Sequence, residues 1–170
     1  SDAATYETKE DATAKYDANI TLPAPTKTGY SFAGWYEDTT PYTSGTWKTT
    51  KNVNLVAKWD AVSYDIGYTL NGGIVDGTNP TAYTIESEFT LINPTKTGYT
   101  FLGWTYEGVT EPTLNVTISG KTENINFVAH WSANNYKLSF VTNGGAIVDS
   151  MTIAYGANFT LPITSKTGYN

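Results

Sequence analysis

A nine-residue phrase written twice constrains this chain more than any other feature. KTGYSFAGW runs from Lys27 to Trp35, KTGYTFLGW from Lys96 to Trp104, and KTGYN starts the phrase a third time at Lys166. Self-similarity of this kind signals one supersecondary unit built several times, so the 170 residues are read as repeats before they are read as one domain.

Other blocks repeat with the phrase. SYDIGYTLNGG, Ser63 to Gly73, returns as NYKLSFVTNGG, Asn135 to Gly145, with Tyr64, Ile66, Tyr68 and Leu70 matched by Tyr136, Leu138 and Phe140 on alternate positions. Period-two alternation ending in Asn-Gly predicts a strand entering a tight turn, because Asn and Gly tolerate the positive φ of primed turns. A middle segment follows Tyr16, Tyr83 and Tyr155, aligning Ile20, Phe89 and Phe159 and then Leu22, Leu91 and Leu161 as core candidates. Pro25 and Pro94 interrupt it, and Lys-Thr-Gly predicts a turn in which Gly29, Gly98 or Gly168 supplies the backbone freedom.

In the aromatic strand, Tyr30 and Phe32 share a face, as do Tyr99 and Phe101, and strict alternation would send Trp35 and Trp104 to the other side. A bulge at Gly34 and Gly103 would return each Trp to the same core. NVNLVAKW, Asn52 to Trp59, and NINFVAHW, Asn124 to Trp131, alternate again and predict the closing strand. The expected boundaries are 1–60 for a first repeat lacking its leading strand, 61–133 for a complete second repeat, and 134–170 for the N-terminal half of a third. On this reading the chain starts and stops inside a repeat. Four residues separate Trp59 from Tyr64 and Trp131 from Tyr136, a reach of about 14 Å that holds neighbours close.

Composition sets the class. Thirty Thr, 13 Tyr, 6 Phe and 5 Trp favour pleated, half-buried surfaces, so the expected fold is mainly β, or α+β if a short helix is present. Cysteine is absent, which excludes disulfides and thiolate metal sites. All ten basic residues are Lys and the net charge is −6, a poor match to nucleic acid or anionic membranes. No apolar run approaches the roughly 18 residues of a membrane span, so no membrane insertion is expected.

The succession of NGG, an apolar segment, PTKTGYxFxGW and a closing NxxAKW resembles the Listeria-Bacteroides repeat, the B-repeat of internalin-type bacterial surface proteins. The resemblance implies small β-grasp-like modules in tandem, on proteins secreted or held at the cell surface, with structural and adhesive roles and no catalytic set. That family often carries a Trp about a dozen residues before the closing Trp. Trp47 occupies the position in the first unit, whereas the second offers Leu114, Val116 and Ile118, implying a different path for its variable stretch.

Little in the chain points to chemistry. His130 is the one histidine and matches Lys58 of the first unit, so it reads as a strand residue rather than a ligand or base. Asp38, Asp65, Asp76 and Glu107 are scattered and form no repeated carboxylate pair. LPITS, Leu161 to Ser165, imitates a sorting signal but occupies the repeat position of LPAPT, and the NGG turns precede no helix that could cradle phosphate. Asn19, Asn115 and Asn158 begin glycosylation-like triplets that a Thr-rich chain produces by chance. An isopeptide cross-link from the closing-strand lysine cannot be general, since His130 replaces Lys58.

The expectation is a non-enzymatic, extracellular tandem-repeat spacer or adhesion segment with no cofactor and no metal. The alternative is a carbohydrate- or protein-binding module using exposed aromatics, for which Tyr36, Tyr42 and Tyr106 are the candidate contacts. Expected partners are neighbouring repeats, a host protein or glycan, and a second copy in head-to-tail exchange.

Overall fold

The computed structural model describes residues 12–169; the first eleven residues of the expected first repeat, and Asn170, lie outside the described residues. The chain divides after Val62 into two compact units. The first contains β1 (Asn19–Ile20), β2 (Tyr30–Glu37), β3 (Thr40–Tyr42), β4 (Gly45–Thr46) and β5 (Val56–Ala61). The second contains β6 (Tyr64–Thr69), β7 (Ala82–Tyr83), β8 (Glu88–Thr90), β9 (Tyr99–Tyr106), β10 (Val109–Thr113), β11 (Thr117–Ser119), β12 (Ile125–Ala133), β13 (Asn135–Leu138) and β14 (Met151–Ala154). All regular structure among the described residues is β, as the aromatic and Thr-rich composition predicts. Packing divides the chain once; three repeats bounded at 1–60, 61–133 and 134–170 stand as our proposal for the repeating unit.

The second unit shows what a complete repeat builds. Its main sheet runs β10-β9-β12-β6-β7, with β12 antiparallel to β9 and parallel to β6. Beside it, β8 and β11 form an antiparallel pair, and Ile118, Leu91 and Val116 from that region join Ile66, Trp104, Ile125, Phe127 and Ala129 in one buried cluster. Trp104 and Phe127 have 0 % exposure, and their rings meet edge to face at 6.1 Å. Without disulfides, burial of such large rings is the main source of stability for so small a unit.

The expected bulges are present. Phe32 pairs with Trp59 and Gly34 with Lys58, leaving Ala33 extra; Phe101 pairs with Trp131 and Gly103 with His130, leaving Leu102 extra. The offset brings each Trp back to the face of the preceding Phe, with ring centroids 5.6 Å apart for Phe32 and Trp35 and 5.4 Å for Phe101 and Trp104. Gly34 and Gly103 take φ of 131° and 137°, a region open chiefly to glycine.

Both turn motifs form as read. Asn71 and Gly72 have φ of 50° and 82°, Asn143 and Gly144 of 45° and 86°, and each turn is closed by an N–H to C=O bond, Gly73 to Leu70 and Gly145 to Thr142. In the Lys-Thr-Gly turns the Tyr N–H donates to the Lys carbonyl in all three copies.

Two expectations require correction. Regular pairing of the first closing strand starts only at Val56, although Val53, Leu55, Ala57 and Trp59 keep the half-buried alternation. Phe159 and Leu161 are 53 % and 61 % exposed, not core, because among the described residues no strand covers the segment that carries them. The variable stretch of the second unit does take a different path in β10, whose register with β9 shifts between Val109 and Thr113 where β3 and β2 pair without a shift, yet it returns to the pairing seen in the first. β11 pairs with β8 through Ile118 and Phe89, as β4 pairs with β1 through Gly45 and Ile20.

Candidate functional site

The three candidate contact residues do not form one site. Tyr36 and Tyr42 lie in the first unit and Tyr106 in the second, and all three are half-buried. Trp35 pairs with Tyr42 and Tyr36 with Pro41 across β2 and β3. Directly opposed residues share a face and successive ones alternate, so Tyr42 sides with Trp35 while Tyr36 takes the outer face. Lys58 places its ammonium 4.0 Å from the Tyr36 ring centroid. Tyr42 donates its hydroxyl to Glu37 Oε2 at 3.2 Å, and its ring lies 6.3 Å from that of Trp47. Tyr106 is least available, since its ring meets Phe127 at 5.0 Å and packs on the buried cluster.

Electrostatics around these groups are structural in kind. Lys51 donates to Glu37 Oε1 at 2.8 Å, and this bond holds the Glu37 carboxyl below its ordinary pKa. Desolvation, with the neighbouring Glu37 charge second, raises the Tyr42 phenol. In the second unit, burial pushes Tyr68 up to about 12, while its hydroxyl donates to the Pro80 carbonyl at 2.7 Å. Burial is also the leading cause of the rise at Tyr83, whose hydroxyl bonds the Glu123 carbonyl.

His130 sits on β12 with Nε2 2.8 Å from Thr105 Oγ1. That pair occupies the place of Lys58 over Tyr36, so the same outer-face position is filled by a hydrogen bond in one repeat and a cation–π contact in the other. A shallow open groove runs past His130, Thr105, Glu107, Asp65 and Asn124. Among the described residues no cluster of three or more His, Asp or Glu side chains is placed to hold a metal ion.

What the structure brings together repeatedly is a brace. Lys27, Lys96 and Lys166 each hold their ammonium over the Tyr three residues on, at 3.8, 4.2 and 4.6 Å. Lys96 also donates to the Asn71 carbonyl at 2.9 Å and Lys166 to that of Asn143 at 3.1 Å, tying the Lys-Thr-Gly turn to the Asn-Gly-Gly turn. The constant Lys-to-Tyr spacing is the sequence signal for this brace.

A second feature was missed by sequence reasoning, namely the junction from the second repeat into the third half. Tyr155 lies against Gly98, where an added Cβ would fall 2.3 Å from the ring, and meets Tyr99 edge to face at 5.6 Å. Asn134 links the two sides, its N–H donating to the Gly98 carbonyl at 2.9 Å and its carbonyl accepting from Tyr155 N–H at 2.8 Å. Thr100 Oγ1 donates to Asn134 Oδ1 at 2.6 Å. These residues are far apart in sequence, and nothing in their spacing marks them as partners.

Comparison with known proteins gives the same picture of tandem modules. The family model for the Listeria-Bacteroides repeat domain matches residues 3–58, 64–130 and 136–170. A provisionally named membrane protein of Evansella cellulosilytica is 31 % identical over 146 residues, covering 81 % of this chain and 21 % of that protein. A provisionally named Gly-rich membrane protein of the same organism is 29 % identical over 166 residues, covering 87 % of this chain and 18 % of its own length. Internalin H of Listeria monocytogenes is 36 % identical over 85 residues, covering 48 % of this chain and 15 % of the internalin. The chain thus spans about a fifth or less of these relatives. No solved structure gives a significant match.

Proposed function

Because the chain belongs to the Listeria-Bacteroides repeat domain family, a repeat family of bacterial surface proteins, we propose that it is a non-enzymatic spacer or adhesion segment displayed outside the cell. The observation that carries this reading is the use to which the repeated aromatics are put. In the complete repeat Trp104 and Phe127 are sealed in the core, and the repeated Lys and Tyr brace turns rather than line a cavity. Residues that recur because every module needs them to fold suit a part whose product is length and placement. The Tyr155–Gly98 junction supports the same reading, since it fixes one module against the next.

Surface display is tested on intact cells producing the parent protein. Brief protease treatment followed by mass spectrometry is expected to release peptides of this segment, and their retention until lysis would sink the placement.

A second reading keeps Tyr36, Tyr42 and Tyr106 as ligand contacts, with Tyr36 favoured by its outer-face position. A labelled 170-residue chain applied to glycan arrays and host-cell surfaces separates the two. The first reading expects no signal that depends on these tyrosines, and a saturable signal abolished by Tyr36→Ala would establish the second.

A further inference from the structure

Contacts from β12 converge on the Asn-Gly-Gly turn that follows β6. The parallel ladder between the two strands ends with Val128 beside Thr69, and the Asn71 amide carries it one step further, donating Nδ2 to the Ala129 carbonyl at 2.8 Å. Trp131 Nε1 donates to the Leu70 carbonyl at 3.0 Å, and its indole ring occupies the space that a Cβ on Gly73 would need. From the other side Lys96 donates to the Asn71 carbonyl at 2.9 Å. The turn stays open to water at Asn71 and Gly72.

This clamp holds a reactive pair. An asparagine amide is open to attack by the backbone nitrogen of the next residue, most of all when that residue is glycine and has no Cβ to shield the nitrogen. Here Gly72 N would close a five-membered ring on Asn71 Cγ. The Gly72 N–H makes no hydrogen bond among the described residues, so the nucleophile is uncommitted. The amide it would attack is committed. While Nδ2 stays on the Ala129 carbonyl and the turn keeps φ of 50° at Asn71 and 82° at Gly72, the side chain is held away from its own backbone. Ring closure therefore waits for the turn to come away from β12.

We propose that Asn71 is a deamidation site gated by β12, at which opening of the joint between β6 and β12 is converted into a permanent covalent change. Gly72 N gives up its proton and bonds to Asn71 Cγ. The bond from Cγ to Nδ2 breaks, and Nδ2 leaves with that proton as ammonia. Water then opens the ring at either carbonyl, leaving aspartate or isoaspartate. Neither product restores the clamp. A carboxylate has no hydrogen to donate, so it meets the Ala129 carbonyl oxygen as one acceptor facing another, and isoaspartate also adds a methylene to the backbone of the turn. The inference does not rest on the spacer reading and survives if the segment turns out to bind a glycan.

The test follows the peptide carrying Asn71 by mass spectrometry, which separates it from Asn143, the other asparagine followed by glycine, and reads isoaspartate with an isoaspartyl methyltransferase. In the native chain at neutral pH the Asn71 rate is expected to lie well below that of the chain unfolded in guanidinium. It should rise exponentially with urea below the unfolding midpoint, as a reaction through an opened state does. Trp131→Phe removes one bond of the clamp without touching Asn71. It should raise the native rate about fivefold, the worth of one hydrogen bond, and leave the unfolded rate unchanged. Asn71→Asp, which keeps the tolerance for positive φ, should lower the urea midpoint of the second unit. The proposal fails if native and unfolded chains react at Asn71 equally fast, if the native rate ignores urea or Trp131→Phe, or if Asn71→Asp unfolds at the parent's midpoint.

Discussion

At the scale of the residue, the same letter in two repeats carries different loads. A Cβ on Gly103 would lie 2.5 Å from Thr113 N and 2.7 Å from the Pro112 carbonyl carbon, both backbone atoms. On Gly34 the nearest atom is in the Tyr36 ring at 3.5 Å. Gly34→Ala is therefore expected to cost only its conformational strain, about 1–3 kcal/mol, and Gly103→Ala distinctly more, as read from denaturant midpoints of the two units. Tyr68 gives a pH dependence. Its folded pKa of about 12 stands above the ordinary 10.0, so the contribution of the neutral phenol is complete below pH 10 and fades as pH rises through 12. Alkaline unfolding followed by fluorescence should be less steep in that window for Tyr68→Phe, and an unchanged profile would place the sensitivity elsewhere.

At the scale of the element, the sequence disclosed what is local and concealed what is not. The Asn-Gly turns and the bulges were legible because positive φ narrows the residue choice at Asn71, Gly72 and Gly103. The pairing of β8 with β11 was not, because Gly45 and Ile118 hold equivalent places with nothing in common. There the ladder is specified by backbone hydrogen bonds and by what covers it. Asn71→Ala tests how much of the turn is local. It removes both the tolerance for positive φ and the 2.8 Å bond to the Ala129 carbonyl, and is expected to cost about 1–3 kcal/mol. Asn143→Ala should cost less, because among the described residues no strand stands beside its turn as β12 stands beside that of Asn71.

At the scale of the whole chain, the two units differ in how completely their aromatics are sealed: Trp104 is buried, its counterpart Trp35 only half so. Calorimetry is expected to show two unfolding steps, the lower from residues 12–62. Phe127→Ala should depress only the upper step, by an amount equivalent to about 3–5 kcal/mol, and a single shared transition would contradict it. The candidate contacts were the least legible part, because a tyrosine reads alike whether it faces water, a lysine or a phenylalanine. Tyr36 and Tyr106 look alike as letters, yet they stand one and two positions past the core tryptophan of their repeats and so fall on opposite faces. The parallel course of β6 and β12 has one more consequence. Because the two strands run the same way, a repeat tethered at Tyr64 and Ala133 and tugged along the strands is loaded lengthwise. The bonds between them then resist in concert instead of opening singly like a zip.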